Sequence, residues 1–406
     1  MLPYSGIPNT NTNTNTQYPF PNPPSPMIVR LLVVLTLAPV LHAQEGSSKL
    51  DVRVSGRILT NGFYTDGHVN NSDVPTFVTQ SSPGAPEERS FGGAIRQTML
   101  SVTASMAGVA GGDLHAGVET DFFGGQQPSG GGRTHPLLRV RRAFFELRWS
   151  SWALLIGQEA PPIVEVNPSS LASIGFPGFA AAGNLWLWLP QARVTGHLSR
   201  GSVLRLDVEG AVLAPNSGSA QGTFLTQPDQ AELSGRPNVE ARVVARWGAD
   251  DAGMISLGGH YGWLDTAGDS LLASRAVALA VRAPLGRWVE VRGEVFHGRA
   301  LAGLGGGGIG QNVGVSGETV ETTGGWAQLL ARGSRWEVGV GLGLDDPQAG
   351  ALDSLTGRQK NRVGAIHILW RPAPLVFGLE YRNLQTTYDS GEQTANHVNL
   401  AAGLEF

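Results

Sequence analysis

The chain has 406 residues, 29 basic and 33 acidic, no cysteine, and a formal net charge of −4. The lack of cysteine excludes disulfides, thiolate zinc sites and cysteine nucleophiles, and the slightly acidic balance gives no indication of a nucleic-acid partner. Charged residues make up 15% of the chain, well below the roughly 25% of a typical soluble domain.

The N-terminal segment is predicted to lie outside the folded part of the protein. Residues 1–26 are rich in Asn, Thr and Pro, cannot bury a core, and are expected to lie upstream of the true start at Met27. From there a basic residue precedes the apolar run 31–41, and a small residue suited to cleavage follows. This pattern predicts a secretory signal peptide over 27–43, because the run is too short to span a bilayer. Residues 44–406 are predicted to form one β-barrel domain.

From residue 50 onward, apolar and polar side chains alternate with a period of two. In the segment 239–247, apolar residues at the odd positions alternate with Glu240, Arg242 and Arg246. Each run has about ten residues, the length that a tilted strand needs to cross a bilayer, whereas strands of soluble proteins usually have about five or six. The predicted strands span 50–64, 93–107, 113–123, 137–150, 152–158, 184–197, 202–213, 237–248, 253–264, 273–284, 286–298, 322–332, 335–345, 361–371, 374–388 and 395–406.

Short and long connections alternate between these strands. Tight turns follow every second strand, and the other connections are long: 65–92, 124–136, 159–183, 214–236, 265–272, 299–321, 346–360 and 389–394. Short periplasmic turns and long extracellular loops are typical of outer-membrane barrels. The sequence therefore predicts an all-β fold, a transmembrane antiparallel β-barrel of about sixteen strands with both ends of the chain on the periplasmic side.

The last predicted strand ends the chain on an aromatic residue. Val398, Leu400, Leu404 and Phe406 share one face, and polar or small residues occupy the other. Outer-membrane barrels commonly end in this way, and the barrel assembly machinery reads that strand, so this machinery is an expected partner. The alternative is an ordinary terminal strand. In a barrel, the closing strand is expected to pair with the first strand.

Several motifs, taken in order along the chain, resemble those of the DcaP-like trimeric porins. They are Arg96-Gln97-Thr98-Met99-Leu100, Val118-Glu119-Thr120-Asp121-Phe122-Phe123-Gly124, Leu138-Arg139-Val140-Arg141-Arg142-Ala143-Phe144, and Leu155-Ile156-Gly157-Gln158 followed by Glu165. The likeness covers most of residues 50–406, with Arg142 standing where the family has His. The resemblance implies an outer-membrane porin fold and a homotrimer.

A barrel of this size encloses an aqueous channel, and the alternation within strands selects the residues that line it. Guanidinium groups are suited to carboxylates and phosphates because each presents a planar fork of donors, which favours anions such as dicarboxylates. Acidic residues of the same alternation class leave open a mutually neutralised, unselective wall. The adjacent Arg141 and Arg142 both face the lumen only if a bulge shifts the register. The predicted pore-lining residues are Arg139, Arg141, Arg142, Arg148, Arg193, Arg205, Arg242, Arg246, Glu119, Asp121, Asp207 and Glu209.

The third long connection, 159–183, is the candidate constriction. Its polar candidates are Gln158, Glu159, Glu165 and Asn167. Acids facing the arginines would set up a transverse field across the narrowest point. The alternative is an exposed loop or a contact between subunits.

The sequence carries no catalytic or metal-binding motif. The nine histidines are scattered, with no H-E-x-x-H motif and no G-x-S-x-G motif, so no enzyme activity, cofactor or metal is predicted. The predicted function is a passive diffusion porin of the Gram-negative outer membrane, with outer-membrane lipid and small anionic or polar solutes as partners. One alternative is a non-channel barrel acting as an adhesin or structural protein. Another is an outer-membrane lipase, with His197 or His297 as its base.

Overall fold

The computed structural model describes part of the chain, and regular structure in it is almost entirely β-strand. The segment 1–26 and the signal peptide predicted over 27–43 lie outside the described residues. The helices within the described part are single 3-10 turns of three or four residues. None of them is long and apolar enough to cross a membrane. The described residues are 49–406 without 82, 83, 85, 87, 125, 128–131, 202, 219–226 and 267–269.

Nineteen strands form within the described residues. They are β1 (Asp51–Asp66), β2 (Arg89–Ala94), β3 (Met99–Val109), β4 (Gly112–Asp121), β5 (Gln126–Gln127), β6 (Gly132–Pro136), β7 (Arg139–Arg148), β8 (Trp152–Glu159), β9 (Leu189–Arg200), β10 (Leu204–Leu213), β11 (Asn238–Trp247), β12 (Gly253–Leu264), β13 (Leu272–Leu285), β14 (Val289–Arg299), β15 (Glu321–Arg332), β16 (Trp336–Pro347), β17 (Lys360–Trp370), β18 (Leu375–Tyr388) and β19 (Gly391–Glu405).

All strands except β5 and β6 join one antiparallel sheet in which neighbours in the chain are neighbours in the sheet. β2 and β3 both pair with β1 and together make one interrupted crossing. β1 also pairs with β19, and Gly56 and Phe406 exchange two backbone hydrogen bonds of 2.9 and 3.0 Å. The sheet is thus a closed barrel of sixteen strands, which confirms the predicted fold class and the predicted closure by the last strand.

Three local predictions differ from the structure. The strand predicted over 184–197 begins only at Leu189, as β9. The second strand, predicted as continuous over 93–107, is interrupted between Ala94 and Met99. Thr98 there exchanges side-chain hydrogen bonds with the backbone of Leu59, at 3.1 and 3.2 Å, so this segment is fixed by polar contacts instead of by the strand ladder. The long loop predicted at 389–394 is a two-residue turn, because β18 and β19 remain paired up to Tyr388 and Gly391.

The outer face of the barrel is apolar. In β16, for example, Val338, Val340 and Leu342 are exposed, whereas Glu337 is buried inside. Trp336 and Trp370 stack with ring centroids 5.7 Å apart near the short turns. Tryptophan is enriched at membrane interfaces, where its ring lies at the level of the headgroups. A closed sheet with an apolar outer face satisfies its backbone within the barrel and its surface in lipid. The barrel is therefore built to cross a membrane.

Much of the apolar core lies inside the barrel. It forms where the connection between β8 and β9 packs on the inner wall. Phe179 of that connection stacks on Trp326 of β15 with ring centroids 5.8 Å apart. Ile163 and Leu185 join a second cluster with Phe296 of β14. The long connection is thus part of the core.

Candidate functional site

The connection between β8 and β9, residues 160–188, is called the constriction loop below after the role predicted for it, and it runs around the inner wall of the barrel. Most of its residues are buried. Its polar contacts follow the wall from strand to strand. Early in the loop, the Ile163 N–H donates to Glu240 of β11, Arg292 of β14 donates to the Asn167 carbonyl, and the Ser169 N–H donates to Gln328 of β15. Farther along, the Ser170 hydroxyl donates to Glu380 of β18, Asn61 of β1 donates to the Leu171 carbonyl, and Arg139 of β7 donates to the Gly175 carbonyl.

The returning half of the loop approaches the wall closely. A Cβ atom on Gly183, whose φ is +93°, would lie 2.2 Å from the Gly325 carbonyl oxygen of β15. The Leu185 N–H donates to the buried Glu294 carboxyl of β14 at 3.1 Å. These contacts hold the loop inside the lumen. The structure extends the predicted span 159–183 to Trp188, and excludes the alternative of an exposed loop.

The constriction loop lines two cavities within the described part of the barrel. Ala160, Val164 and Glu165 line a cavity of about 1010 Å³ that reaches the short turns at Gly201 and Asp251. The later part of the loop lines a cavity of about 550 Å³, together with residues of the connection after β1. The first cavity thus lies toward the short-turn end of the barrel and the second toward the long-loop end.

The larger cavity brings together many of the predicted lining residues. Its wall is formed by β7 to β11, whose polar side chains alternate with apolar side chains on the outer face. The predicted residues that line this cavity, from these strands and from the constriction loop, are Arg142, Arg148, Arg193, Arg205, Arg242, Arg246, Asp207, Glu209, Glu159 and Glu165. Their role in solute passage stays a prediction.

The arginines at the centre of this wall are neutralised by carboxylates. Arg242 pairs with Glu165 of the constriction loop and, at 2.7 Å, with Glu209 of β10. Arg246 pairs with the same Glu165 at 2.9 Å, and Arg193 lies 3.7 Å from Glu209. The loop acids thus contact the arginines directly. The sequence suggested opposite charges separated across the lumen, with a field between them. In the structure, these charges are in direct contact.

The ionisation of Glu165 follows from this setting. Burial raises the pKa of its carboxyl, but Arg242 and Arg246 outweigh burial, so the pKa lies below its ordinary value of 4.5. The carboxylate is therefore charged at neutral pH. Its negative charge ties the constriction loop to β11.

Three arginines of the larger cavity protrude farther than their acidic partners: Arg148 and Arg205 next to the short turns, and Arg142 nearer the constriction loop. The side chain of Arg148 is 51% exposed and that of its partner Glu146 is 12% exposed. The corresponding values are 35% and 9% for Arg142 and Glu159. Arg205, paired with Asp251, is 43% exposed. A solute in this cavity would meet guanidinium groups before carboxylates.

A bulge in β7 places two adjacent arginines in the lumen. In the pairing of β4 with β7, Glu119 is opposite Arg142 and Thr120 is opposite Val140, so that Arg141 has no partner. The Arg141 side chain therefore stays on the inner face, where it lies 3.5 Å from Glu119. From the sequence, the bulge could be given only as the condition under which Arg141 and Arg142 both face the lumen.

Four predicted lining residues lie beside the later part of the constriction loop, outside the larger cavity's wall. Arg139 binds Asp121 at 2.6 Å and donates to Gly175 of the loop. Arg141 stacks over Trp188 at 4.3 Å. These contacts fasten the loop to β4 and β7. The four residues are Arg139, Arg141, Glu119 and Asp121.

Two predicted constriction residues have other positions. Gln158 belongs to the alternation class opposite to Glu159, and its amide donates to the carbonyls of Val140 and Arg141 at 3.1 and 2.9 Å. It stabilises the bulge instead of lining the cavity. Asn167 accepts a hydrogen bond from Asn184 within the loop, at 3.2 Å, and does not line either cavity described above.

The smaller cavity was not anticipated from the sequence. Asn71, Arg96, Phe176 and Trp186 are among its lining residues. Arg96 binds Asp73 at 2.9 Å, which draws the connection after β1 into the barrel. The sequence signal that could have indicated this cavity is the polar run 96–98, which interrupts the alternation of the predicted second strand.

The histidines proposed for the lipase alternative lie far apart in the barrel. His197 contacts Asp207 at 2.6 Å in the lumen, whereas His297 contacts Thr323 at 2.9 Å on the outer face. Within the described residues, no group of three or more His, Asp or Glu side chains is arranged to hold a metal ion.

No family model and no curated protein matches the sequence. The fold is similar to that of the outer membrane channel DcaP of Acinetobacter baumannii, with a TM-score of 0.66 and 17% identity, covering 88% of this chain and 97% of that chain. In-vitro folded OmpT, an outer membrane protein of Vibrio cholerae, has a TM-score of 0.52 at 9% identity, covering 88% and 98%. OprB of Pseudomonas putida has a TM-score of 0.52 at 10% identity, covering 87% and 94%.

Identities this low establish the shared fold alone. The long shared span and the closed barrel nevertheless agree with the motifs in the sequence. The resemblance to the DcaP-like porins is therefore confirmed at the level of the fold, a sixteen-stranded barrel of the outer-membrane porin type.

Proposed function

We propose that the protein is a passive diffusion channel of the Gram-negative outer membrane for small hydrophilic solutes. The observation that carries this proposal is a polar cavity of about 1010 Å³ inside a barrel whose outer face is apolar. Charged side chains line that cavity, whereas lipid would cover the outside. Such a barrel holds water in its lumen. No cofactor or energy input is needed for diffusion down a gradient.

The constriction loop would set the size limit of the channel. It lies along the inner wall and lines both cavities, and its buried contacts hold it there. Small solutes would pass the loop from one cavity to the other, and larger solutes would be stopped at the loop. The narrowing supports a channel for small molecules over a wide, unselective pore.

A preference for anions such as dicarboxylates is the finer part of the proposal. Arg142, Arg148 and Arg205 protrude into the larger cavity more than their acidic partners do. Guanidinium forks bind carboxylates with two donors. The neutralised pairs at Arg242 and Arg246 contribute little to this preference, so we expect it to be modest and to arise from the three protruding arginines.

Export and assembly complete the proposal. Cleavage of the signal peptide at 27–43 would deliver the chain to the periplasm. The C-terminal strand ending at Phe406 would then be recognised by the barrel assembly machinery before it pairs with β1. We also propose a homotrimer, which the resemblance to the DcaP-like porins supports.

One observation favours the alternative of an adhesin or structural barrel. The constriction loop fastens itself to almost every part of the inner wall, and such a loop could close the lumen. The two functions make opposite predictions for conductance, because only a channel carries current.

Single-channel recording in a planar bilayer tests the proposal. The refolded barrel should show discrete current steps in potassium chloride, and succinate or phosphate should reduce the current more than an uncharged sugar of similar size. Heat-modifiable migration in gel electrophoresis serves as the control for folding. A folded barrel without current steps would refute the channel and leave the adhesin or structural alternative.

A further inference from the structure

The outer face of the barrel carries a group of basic and aromatic side chains where β11 to β15 end at the long loops. We call this group the rim patch. Tyr261, Arg275 and Arg299 lie directly opposite one another in the ladders of β12, β13 and β14. Their side chains therefore share one face of the sheet. The rim patch consists of Arg236, Tyr261, Trp263, Arg275, His297, Arg299 and Glu321.

Exposure shows that this face is the outer one. Tyr261 is 42% exposed, the His297 side chain is 63% exposed, and Arg275 is also exposed. Two residues farther along the same strand face, Val277 and Val295 are 57% and 55% exposed. The rim patch thus lies at the edge of the apolar belt.

The patch has an excess of positive charge. Glu321 pairs with Arg299 and lies 3.7 Å from His297. Within the part of the chain that the structure describes, no carboxylate pairs with Arg236 or Arg275. Three guanidinium groups therefore stand against one carboxylate. An apolar surface bordered by unbalanced guanidiniums complements a lipid that carries phosphate groups.

Aromatic rings complete the surface. The guanidinium of Arg236 lies 5.4 Å from the ring centroid of Trp263. The rings of Trp263 and Tyr261 meet edge to face at 5.0 Å. Amphipathic rings of this kind lie at the level of lipid headgroups. The rings and the arginines thus mark the same height on the barrel, where headgroup phosphates would lie.

We propose that the rim patch is a binding site for a phosphorylated glycolipid of the outer leaflet, with its phosphates held by Arg236, Arg275 and Arg299. The proposal rests on the proposed outer-membrane location, in which the long loops face outward. The acyl chains would lie on the apolar belt beside Val277 and Val295. Glu321 positions Arg299 and His297 and would not contact the phosphates.

A lipid titration with matched variants tests the site. The refolded chain in detergent is titrated with diphosphoryl lipid A, and bound lipid is counted by native mass spectrometry. The triple variant R236Q/R275Q/R299Q should bind at least about tenfold more weakly, because it removes the three guanidinium groups that would hold the phosphates. The control R53Q/R287Q/R335Q removes three arginines near the short turns and should bind as the unaltered chain does.

Several results would overturn the proposal. They are equal binding by the two triple variants, equal binding of fully dephosphorylated lipid A, and displacement of the lipid by millimolar inorganic phosphate. Equal affinity for phosphatidylglycerol would remove the assignment to a glycolipid. A change in copy number without a change in lipid binding would identify the patch as a contact between copies of the chain.

Conductance measurements on the same preparations test the channel proposal separately from the lipid-binding proposal. The rim patch lies outside the lumen, so the triple variant should conduct as the unaltered chain does. A chain that binds lipid A but never conducts would refute the channel and leave the lipid site standing.

Discussion

The carboxylate of Glu165 on the constriction loop lies 2.9 Å from a guanidinium nitrogen of Arg246 on β11. It is the same carboxylate that pairs with Arg242. One acid of a long connection thus neutralises two arginines of the barrel wall. Both the charge of the lumen and the position of the loop depend on this contact.

The variant E165Q should make the channel more selective for anions. It removes a negative charge shared by Arg242 and Arg246, although Arg242 keeps Glu209. It should also lower stability by about 2 kcal/mol, because charge-assisted hydrogen bonds are lost. The zero-current potential in a potassium chloride gradient measures the first effect, and denaturant unfolding measures the second. The exposed loop acid Glu318 provides the control E318Q. An unchanged potential would show that this pair does not influence permeation.

Acidification should weaken the same contact. Because the folded-state pKa of Glu165 is lowered from 4.5, its contribution to stability is complete above that pH and is lost as the pH falls through the lowered value. Between about pH 6 and about pH 3, the melting temperature should fall more for the unaltered chain than for E165Q. Equal falls would mean that Glu165 contributes nothing to the acid response.

The triple variant R142Q/R148Q/R205Q should reduce the preference for anions. These side chains protrude into the larger cavity, and removing them leaves Glu146, Glu159 and Asp251 without their partners. We expect the anion-to-cation permeability ratio to fall roughly twofold or more, since charged pore walls change the local ion concentration. The zero-current potential is the measurement, with R287Q/R335Q as the control. A rise in the ratio would contradict the proposed origin of selectivity.

Substitution of Gly183 by alanine should displace the constriction loop. The new Cβ would lie 2.2 Å from a carbonyl oxygen of β15, and φ is +93°. Gly286 provides the matched control, since its φ is +79° and a Cβ there meets nothing within 4 Å. G286A should cost about 1 kcal/mol from the backbone conformation alone, and G183A should cost more and alter single-channel conductance. Equal effects in the two variants would show that the loop can shift freely.

The strands could be predicted because the side chains of each strand show, residue by residue, which face meets lipid and which meets the lumen. Lipid and lumen impose opposite preferences on successive side chains, and the alternation around Val239 and Arg242 records this directly. The prediction was wrong where another contact competes with the ladder. Thr98 binds the backbone of Leu59, and the second strand is interrupted there.

The candidate site was only partly predictable, for a related reason. Arg242 and Arg246 could be assigned to the inner face by alternation, but alternation does not say what they meet there. Gln158 is among the residues predicted for the constriction, whereas in the structure its amide holds the bulge at Arg141. The smaller cavity depends on Arg96 and Asp73, which are far from Phe176 and Trp186 in the chain.

The barrel, its closure by the last strand, and the arginines of its inner face could all be predicted from the amino-acid sequence, because successive residues of a strand carry the period of two. The path of the constriction loop and the neutralisation of Arg242 by Glu165 became visible in the folded barrel and not before. A loop has no period, and its position follows from contacts with strands that are distant in the chain. The balance of charge in the lumen is therefore a property of the folded barrel.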